Sequence, residues 1–431
     1  MLAAMSARDR FIVHSPFHIP HSPFTLHITY VLLSPTFGMH QYTADLAGQM
    51  ANGEGPIADG GRSAACRSDV RLITTATLPR DRYHPVVPIV TPVVTHGTGF
   101  APEGLDLAAC RRVLEAIRQQ PSDIVHFTGV HLWNVPLVYA LRRHKVRVVH
   151  TLHDLDPHVH VPFRRLIRLW NRLLMASGCH IVVHGRCYRQ RLVARGIPAA
   201  RVTYLPLLHG FLSATHPWPP PRRHRLAHTP RARPTVLFFG RIEAYKGIET
   251  LLEAWRRLQA VPSSVPSSPP SAHTWTLCIA GPLARGVKLP PLPPGVVFHN
   301  RLILDEEADA LFRSADVLVL PYRDATQSAL VAAAYAYDLP VIVTRTGALP
   351  EYVIEGETGW IVPPDDPDAL AAVLAAALAD PERLRRMGAA GRAWFEARYR
   401  EARRSLLTLY QTLIASPRPI SAPVGEGGGH R

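Results

Sequence analysis

Thr235-Val-Leu-Phe-Phe-Gly-Arg-Ile-Glu-Ala-Tyr-Lys-Gly-Ile-Glu-Thr-Leu-Leu-Glu-Ala-Trp255 decides how the rest of the chain is read. An apolar run ends at Gly240, a turn follows, and from Lys246 the apolar residues recur at helical spacing. The pattern predicts a buried strand over 235–239 and a helix over 246–259. Arg241 and Lys246 then fall at the strand's carboxyl edge, beside the helix N-terminus. Open α/β sheets bind ligands at that edge, and a helix N-terminus favours anions, so two cations there suit a diphosphate. Only three of the 48 Lys plus Arg residues are lysines, Lys145, Lys246 and Lys288. A chain that uses arginine almost everywhere keeps a compact ammonium here, a point charge for phosphate where arginine's planar fork fits less well. The plainer reading is a surface lysine at a helix start.

Working outward, strand and helix patterns alternate on both sides. Before this stretch, strands are expected at 27–33, 70–74, 124–127, 146–152, 180–183 and 202–205, with helices at 41–50, 107–119, 134–144, 162–176 and 186–195. After it, strands are expected at 275–280, 296–298, 316–320 and 341–344, with helices at 305–313, 327–337, 366–379, 382–397 and 400–414. This alternation predicts parallel sheets covered on both faces. Pro217, Pro219, Pro220, Pro221 and Pro230, mixed with Arg and His, mark a linker over 211–233. The organisation expected is a first domain over 1–210, a second over 234–399, a C-terminal helix over 400–416 and a disordered tail over 417–431. A His-Ser-Pro-Phe repeat at 14–17 and 21–24, a Gly/Ala/Ser-rich insertion at 52–68 and a low-complexity loop at 261–272 punctuate the pattern.

A length of 431 residues suits two domains, and 47% hydrophobic content is that of a globular chain. Residues 1–17 hold Arg8, Asp9, Arg10 and Pro16 and no continuous apolar core, so no secretory leader is expected. Five cysteines without C-x-x-C spacing suggest reduced thiols in a cytoplasmic protein, placed either in the cytoplasm or at the inner face of its membrane. The 23 histidines do not cluster at metal-ligand spacing, and no metal is expected. A net charge of +15 implies anionic company. Zinc-finger spacing and RNA-recognition aromatic motifs are absent and the arginines are dispersed, which argues against nucleic acid. In 162–176, Arg164, Arg168 and Arg172 share one helical stripe, while Phe163, Leu166, Ile167, Trp170, Leu173 and Leu174 fall largely on the other side. This is either a core helix with a solvated arginine face or a basic amphipathic helix giving peripheral contact with an anionic membrane.

Four segments together resemble the C-terminal half of family 4 glycosyltransferases: Gly240-Arg241 with Lys246-Gly247, Asp316-Val-Leu-Val-Leu-Pro-Tyr322, Leu339 to Glu351, and Gly356-Glu-Thr-Gly-Trp-Ile-Val-Pro-Pro364. The likeness covers about 235–400. Ser34-Pro-Thr-Phe-Gly38 and Thr151-Leu-His-Asp154 are looser echoes of the family's N-terminal half. The resemblance implies an α/β chain of the GT-B fold, two Rossmann-like doubly wound domains facing a central cleft. It implies a nucleotide-sugar donor, a saccharide or lipid-linked acceptor, transfer with retention, and no cofactor. By the same resemblance, His153 contacts the donor sugar or shuttles a proton, and Gly38 and Gly240 let backbone approach the ligands. Arg241 and Lys246 stabilise the leaving diphosphate. Asp154-Leu-Asp156 has the spacing of a metal clamp but not its place in the family.

The chain departs from the family at its Glu-x₇-Glu motif, whose positions are here Ala325 and Ala333. Asp324 stands one residue before the first. Thr326, Gln327 and Ser328 open the following helix and offer N–H groups and hydroxyls to a diphosphate. Losing the second carboxylate, which grips ribose in the family, predicts weak discrimination between ribose and 2′-deoxyribose, with Tyr335 and Tyr337 as the alternative contacts. It also leaves open a catalytically weak partner subunit, or a sugar-nucleotide epimerase on the same fold.

Overall fold

The computed structural model describes residues 25–34, 36–51, 67–96, 99–156, 164–209, 220, 234–260 and 275–416. The N-terminal repeat, most of the 52–68 insertion, the 261–272 loop, the tail and, apart from Pro220, the 211–233 linker lie outside them, as do Phe163 and His158.

The first half runs β1 (Thr25–Leu32), α1 (Phe37–Ala51), β2 (Arg67–Thr75), β3 (Ile89–Val93), α2 (Leu107–Arg118), β4 (Ile124–Phe127), α3 (Asn134–Arg143), β5 (Arg147–Thr151), α4 (Arg164–Ala176), β6 (His180–Val183), α5 (Arg186–Ala194) and β7 (Val202–Tyr204). The second half runs β8 (Thr235–Phe239), α6 (Ile248–Ala260), β9 (Thr276–Ala280), β10 (Val296–His299), α7 (Asp305–Ser314), β11 (Val317–Leu320), α8 (Ala329–Ala336), β12 (Val341–Thr344), β13 (Gly359–Val362), α9 (Pro367–Ala379) and α10 (Pro381–Ala415). The strands form two all-parallel sheets, ordered β3-β2-β1-β4-β5-β6-β7 and β10-β9-β8-β11-β12-β13. In each, the first strand of the half sits inside the sheet and the order reverses beside it, which opens a crevice at the carboxyl ends.

Strands buried on both faces read as short apolar runs, and β4, β6, β11 and β12 are buried at every residue. Asp-Pro pairs start α9 and α10: Asp366 and Asp380 accept N–H bonds from Ala369 and Arg383, and Pro367 and Pro381 take the first helical position.

Several elements differ from expectation. β3 contains Pro92 and lies at a sheet edge, where a missing N–H is tolerated, so its sequence does not read as a strand. β13 is a four-residue edge strand hidden inside a loop-like segment. The helices expected at 382–397 and 400–414 are one helix, α10. Its buried residues stop at Phe395 and resume at Ala402, because the helix changes the body it packs on rather than breaking. In α4 only Trp170, Asn171 and Leu174 are buried; Leu166 and Leu173, expected on the packed side, are exposed.

Up to Phe395, α10 serves the second sheet: a Cβ at Gly388 would collide with the Asp338 carbonyl oxygen, and Arg392 bonds the Ala336 carbonyl. Beyond it, α10 serves the first sheet. Tyr399 donates to Asp45 (2.6 Å), the Tyr410 hydroxyl lies between His126 Nδ1 (2.6 Å) and the Tyr30 hydroxyl (3.2 Å), and Arg147 donates to the carbonyls of Leu413 and Ile414. Tyr410→Phe strands two buried polar groups of the first sheet and should cost about 1–3 kcal/mol. A lowered urea midpoint at unchanged slope is the expected outcome, and an unchanged midpoint would refute the tether.

Candidate active site

The second sheet's carboxyl edge gathers most of the residues singled out in the sequence. β8 ends at Gly240 (φ 100°), and Arg241 follows with its side chain 63% exposed and Glu243 at 3.7 Å. Ala244–Lys246 form a 3₁₀ turn, so Lys246 precedes α6 instead of opening it. Gly247 is left-handed (φ 65°), and a Cβ there would collide with the Pro321 carbonyl oxygen. Only glycine lets this turn lie against the exit of β11. The Arg323 N–H accordingly donates to the Tyr245 carbonyl (2.7 Å), and Asp324 N lies 3.4 Å from the same oxygen. The Lys246 ammonium sits 5.6 Å from the Tyr322 ring centroid. Burial pushes it down to about 8, with Glu243 opposing and Arg241 adding to the shift.

The segment after β11 closes the same edge. Thr326 is buried and its carbonyl accepts the Ala348 N–H (3.0 Å). Gln327 Oε1 is buried and has no hydrogen-bond partner. Ser328 does not lie within the helix; it is the N-cap of α8 and accepts from Leu330 N–H (3.3 Å). Ala325 and Ala333 are both buried. The Tyr335 hydroxyl is taken by Tyr352 and Thr358, and that of Tyr337 by Asp309, so neither stands in for the missing carboxylate.

On the first sheet, His153 follows β5 at the carboxyl edge. Its Nε2 lies 2.8 Å from the Thr128 carbonyl, so Nε2 carries the proton and Nδ1 is the acceptor. Burial lowers its pKa and keeps the ring neutral. Tyr42 packs edge-on against His153 (5.2 Å), and the His184 ring lies 5.0 Å away. His150 instead packs inside the domain, stacked on Phe127 and bonded to Asn134 Nδ2 (3.1 Å), which separates its role from that of His153. Gly38 is exposed, one turn before Tyr42 on α1, and a Cβ there would meet nothing within 4 Å. The protein itself therefore does not require glycine at that position. Asp156, the second residue of the Asp-x-Asp spacing, is bound to Arg191 and Arg195.

The two edges meet. Asp154 lies close enough to act electrostatically on Tyr245 and Tyr188. The Tyr188 hydroxyl reaches the Ala325 carbonyl (3.4 Å) and the Thr326 side chain. The Glu351 carboxylate accepts the N–H groups of Arg186 (2.6 Å) and Cys187 (2.8 Å) at the start of α5. Tyr352 donates to the His184 carbonyl (2.6 Å) and accepts the Leu207 N–H (2.9 Å). Reasoning from sequence missed Tyr42, His184, Tyr188 and Tyr352 because no local pattern marks them. Glu351 had a signal, the end of the Leu339–Glu351 segment, but not a role.

Two parallel Rossmann-like sheets with helices give the GT-B architecture of glycosyltransferases. The family model described as "Glycosyl transferase 4-like domain" matches residues 37–207, and that described as "Glycosyl transferases group 1" matches 233–380. The chain belongs to this glycosyltransferase family. It is 31% identical over 179 residues to a D-inositol 3-phosphate glycosyltransferase of Corynebacterium efficiens, covering 39% of this chain and 40% of that one. To a GDP-mannose-dependent alpha-(1-6)-phosphatidylinositol monomannoside mannosyltransferase of Mycolicibacterium smegmatis it is 32% identical over 172 residues, 38% of this chain and 43% of that one. These matches thus span less than half of either relative. Among solved structures, a sucrose-phosphate synthase from Thermosynechococcus elongatus superposes with a TM-score of 0.65 at 20% identity, over 91% of this chain and 100% of that one. Anabaena HepE, solved with UDP and glucose, gives 0.61 at 14% over 90% and 98%. At these identities the structural likeness concerns the fold.

The Lys246 ammonium loses its proton as pH rises through about 8, and with it the charge that would meet an anion. Affinity for inorganic pyrophosphate, measured by calorimetry, should fall between about pH 7 and pH 9, and Lys246→Arg should flatten the fall because arginine stays charged. A wild-type profile as flat as the variant's would remove Lys246 from the anion site.

Proposed function

We propose that this chain transfers a sugar from a nucleotide-diphosphate donor to a saccharide or lipid-linked acceptor, with retention and without a metal ion. The observation that carries the reading is the pairing of Arg241 and Lys246 on the carboxyl edge of the second sheet, facing the His153 edge of the first. In this reading residues 234–399 bind the donor and residues 1–210 the acceptor.

Breaking the bond to the diphosphate makes the sugar oxocarbenium-like and concentrates negative charge on the leaving group. Lys246, short of solvation, and the largely exposed Arg241 meet that charge as it grows, which is the electrostatic role that dominates much of enzyme catalysis. The backbone at Gly240 and the Thr326–Ser328 segment line the same anion, with Asp324 beside them. Gln327 Oε1 supplies an unpaired acceptor for a donor hydroxyl. His153, neutral with Nδ1 as acceptor, faces the sugar and takes or relays the acceptor proton, and the open space at Gly38 lets a ligand approach the backbone. Two arginines already neutralise Asp156, which argues against an Asp154–Asp156 metal clamp. Peripheral attachment to a membrane at its inner face accompanies a lipid-linked acceptor; no helix among the described residues is long and apolar enough to cross a membrane.

Arg241→Ala and Lys246→Ala should each lower donor turnover by about two to three decades without unfolding the chain, and wild-type turnover should survive EDTA. Near-normal turnover in Lys246→Ala would remove the clamp. Absence of any turnover in the wild type would favour a partner subunit. With Ala333 in place of a ribose-gripping carboxylate and both nearby tyrosines engaged elsewhere, uridine and deoxythymidine diphosphates should bind within about tenfold of each other, or 1.4 kcal/mol. A larger preference for the ribonucleotide in parallel titrations would show that the ribose is still read.

A further inference from the structure

The neighbouring strands β5, β6 and β7 bring imidazoles to one place at the carboxyl edge of the first sheet: His153 follows β5, His184 follows β6 and His209 lies beyond β7. A single phenol ring stands among them. Tyr42 of α1 is buried, with its ring centroid 5.2 Å from that of His153, 5.1 Å from His184 and 5.8 Å from His209, edge-on in each case. Of this cluster, the reaction described above uses only His153.

Packing, more than bonding, orients these rings. His153 is anchored to the Thr128 carbonyl through Nε2 and His184 to the Leu205 carbonyl through Nδ1 (both 2.8 Å). His184 Nε2 and His209 Nδ1 are buried and have no hydrogen-bond partner. A ring held by one bond can still tilt about it, so its plane is set by the surface against it. Tyr42 is that shared surface, and it is itself fixed. Its hydroxyl lies 3.1 Å from Thr151 Oγ1, which lies 2.8 Å from His126 Nε2, and His126 Nδ1 meets Tyr410 of α10. With the hydroxyl engaged there, Tyr42 acts through what its ring touches.

The next residue of α1 holds the other side. Thr43 Oγ1 donates to Thr128 Oγ1 (2.7 Å), and the carbonyl of the same Thr128 accepts from His153 Nε2. Consecutive helical side chains diverge by about 100°. Tyr42 and Thr43 therefore reach the exits of β5 and β4 from one turn of one helix, with His153 between them. A reacting side chain is only as well oriented as the residues that lock it.

We propose that Tyr42 is the positioning residue for His153: its ring, with Thr43 behind Thr128, holds the imidazole so that Nε2–H stays on the Thr128 carbonyl and Nδ1 stays free as the acceptor. The proposal rests on the sugar-transfer reading for its kinetic consequence and not for its structural one, so the two can fail separately.

The test is ¹⁵N NMR of the full chain labelled at histidine, with the His153 signals assigned by their loss in His153→Gln. The wild type should report the Nε2–H tautomer alone. Tyr42→Leu, which removes the ring, should draw the two nitrogen signals toward each other as the Nδ1–H tautomer appears, and Tyr42→Phe should restore most of the wild-type pattern. Because Tyr42→Leu opens a cavity, Tyr42→Phe with Thr43→Val is the second variant. It conserves volume, cuts both bonds from α1 to the strand exits, and should also mix the tautomers. A mixture already present in the wild type would overturn the proposal, as would an unchanged pattern in folded Tyr42→Leu, or in the double variant should Tyr42→Leu not fold. In turnover, Tyr42→Leu should lower kcat at least about tenfold with donor KM within about twofold, and should cost nothing further in a His153→Ala background. A full additional loss in that background would show that Tyr42 acts elsewhere and would equally end the proposal. A wild type without turnover would remove the sugar-transfer reading and leave the tautomers to decide this one.

Discussion

Everything in this molecule depends on one constraint: two parallel sheets must present their carboxyl edges to each other, and one helix has to hold both. At 35 residues, α10 is long enough to serve both bodies, about 50 Å at the rise of an α-helix. Its first half is fixed by close backbone contact at Gly388 and by Arg392 on the end of α8; its second half is fixed by polar bonds from Tyr399, Tyr410 and Arg147. The kinds of contact differ. Close approach at Gly388 admits no side chain against the second body, whereas on the first body the helix adds hydrogen bonds to Asp45 and His126 to its buried Leu406 and Leu409. Burial raises the Asp45 carboxyl to about 7 despite the bonds from Tyr399 and Gln49, so this link carries an acid that is only marginally ionised at neutral pH.

Within the cleft the division of labour follows from solvation. The second body keeps one cation largely dry: Lys246 lies 5.6 Å from the Tyr322 ring centroid, with Glu243 partly offsetting its loss of solvation. The first body keeps five buried histidines neutral, because His126, His150, His153, His184 and His209 all have their pKa lowered by burial. Of these, His153 follows β5 at the carboxyl edge, so that edge carries a neutral imidazole where the second body carries a partly desolvated cation. The interdomain bonds of Glu351, Tyr352 and Tyr188 then set how far apart the two walls stand.

The sequence was legible where structure is local. Strands β4, β6, β8, β11 and β12 are short apolar runs between turn signals, and their alternation with helices gave the sheet class and the two-body organisation. Lys246 was singled out because lysine is rare in this chain, and the structure puts it at the exit of β8, before α6; Ser328 was expected to open a helix, and it is the N-cap of α8. What stayed illegible is non-local. β3 and β13 exist because a neighbour offers an edge, not because their own residues favour strands. The continuity of α10 depends on a change of packing partner that periodicity reads as a break. The leucines of α4 have a core-like spacing, and only the position of α3 and α5 decides that three of them stay in water. Glu351 caps a helix more than 160 residues away, a relation that no window along the chain contains.

The alanine-filled α8 constrains what can replace it. At Ala333 the side chain is fully buried, so a longer side chain there must displace what packs on it. Glutamate there would force another methylene and a charge into a packed interior, at a cost set by overpacking and by desolvation together. A longer acid at this position is thus tolerated only together with changes around it. The neighbours would have to retreat first, with nothing to favour that retreat until the acid arrived. Substitutions at 333 are therefore coupled to those of the residues packed around it.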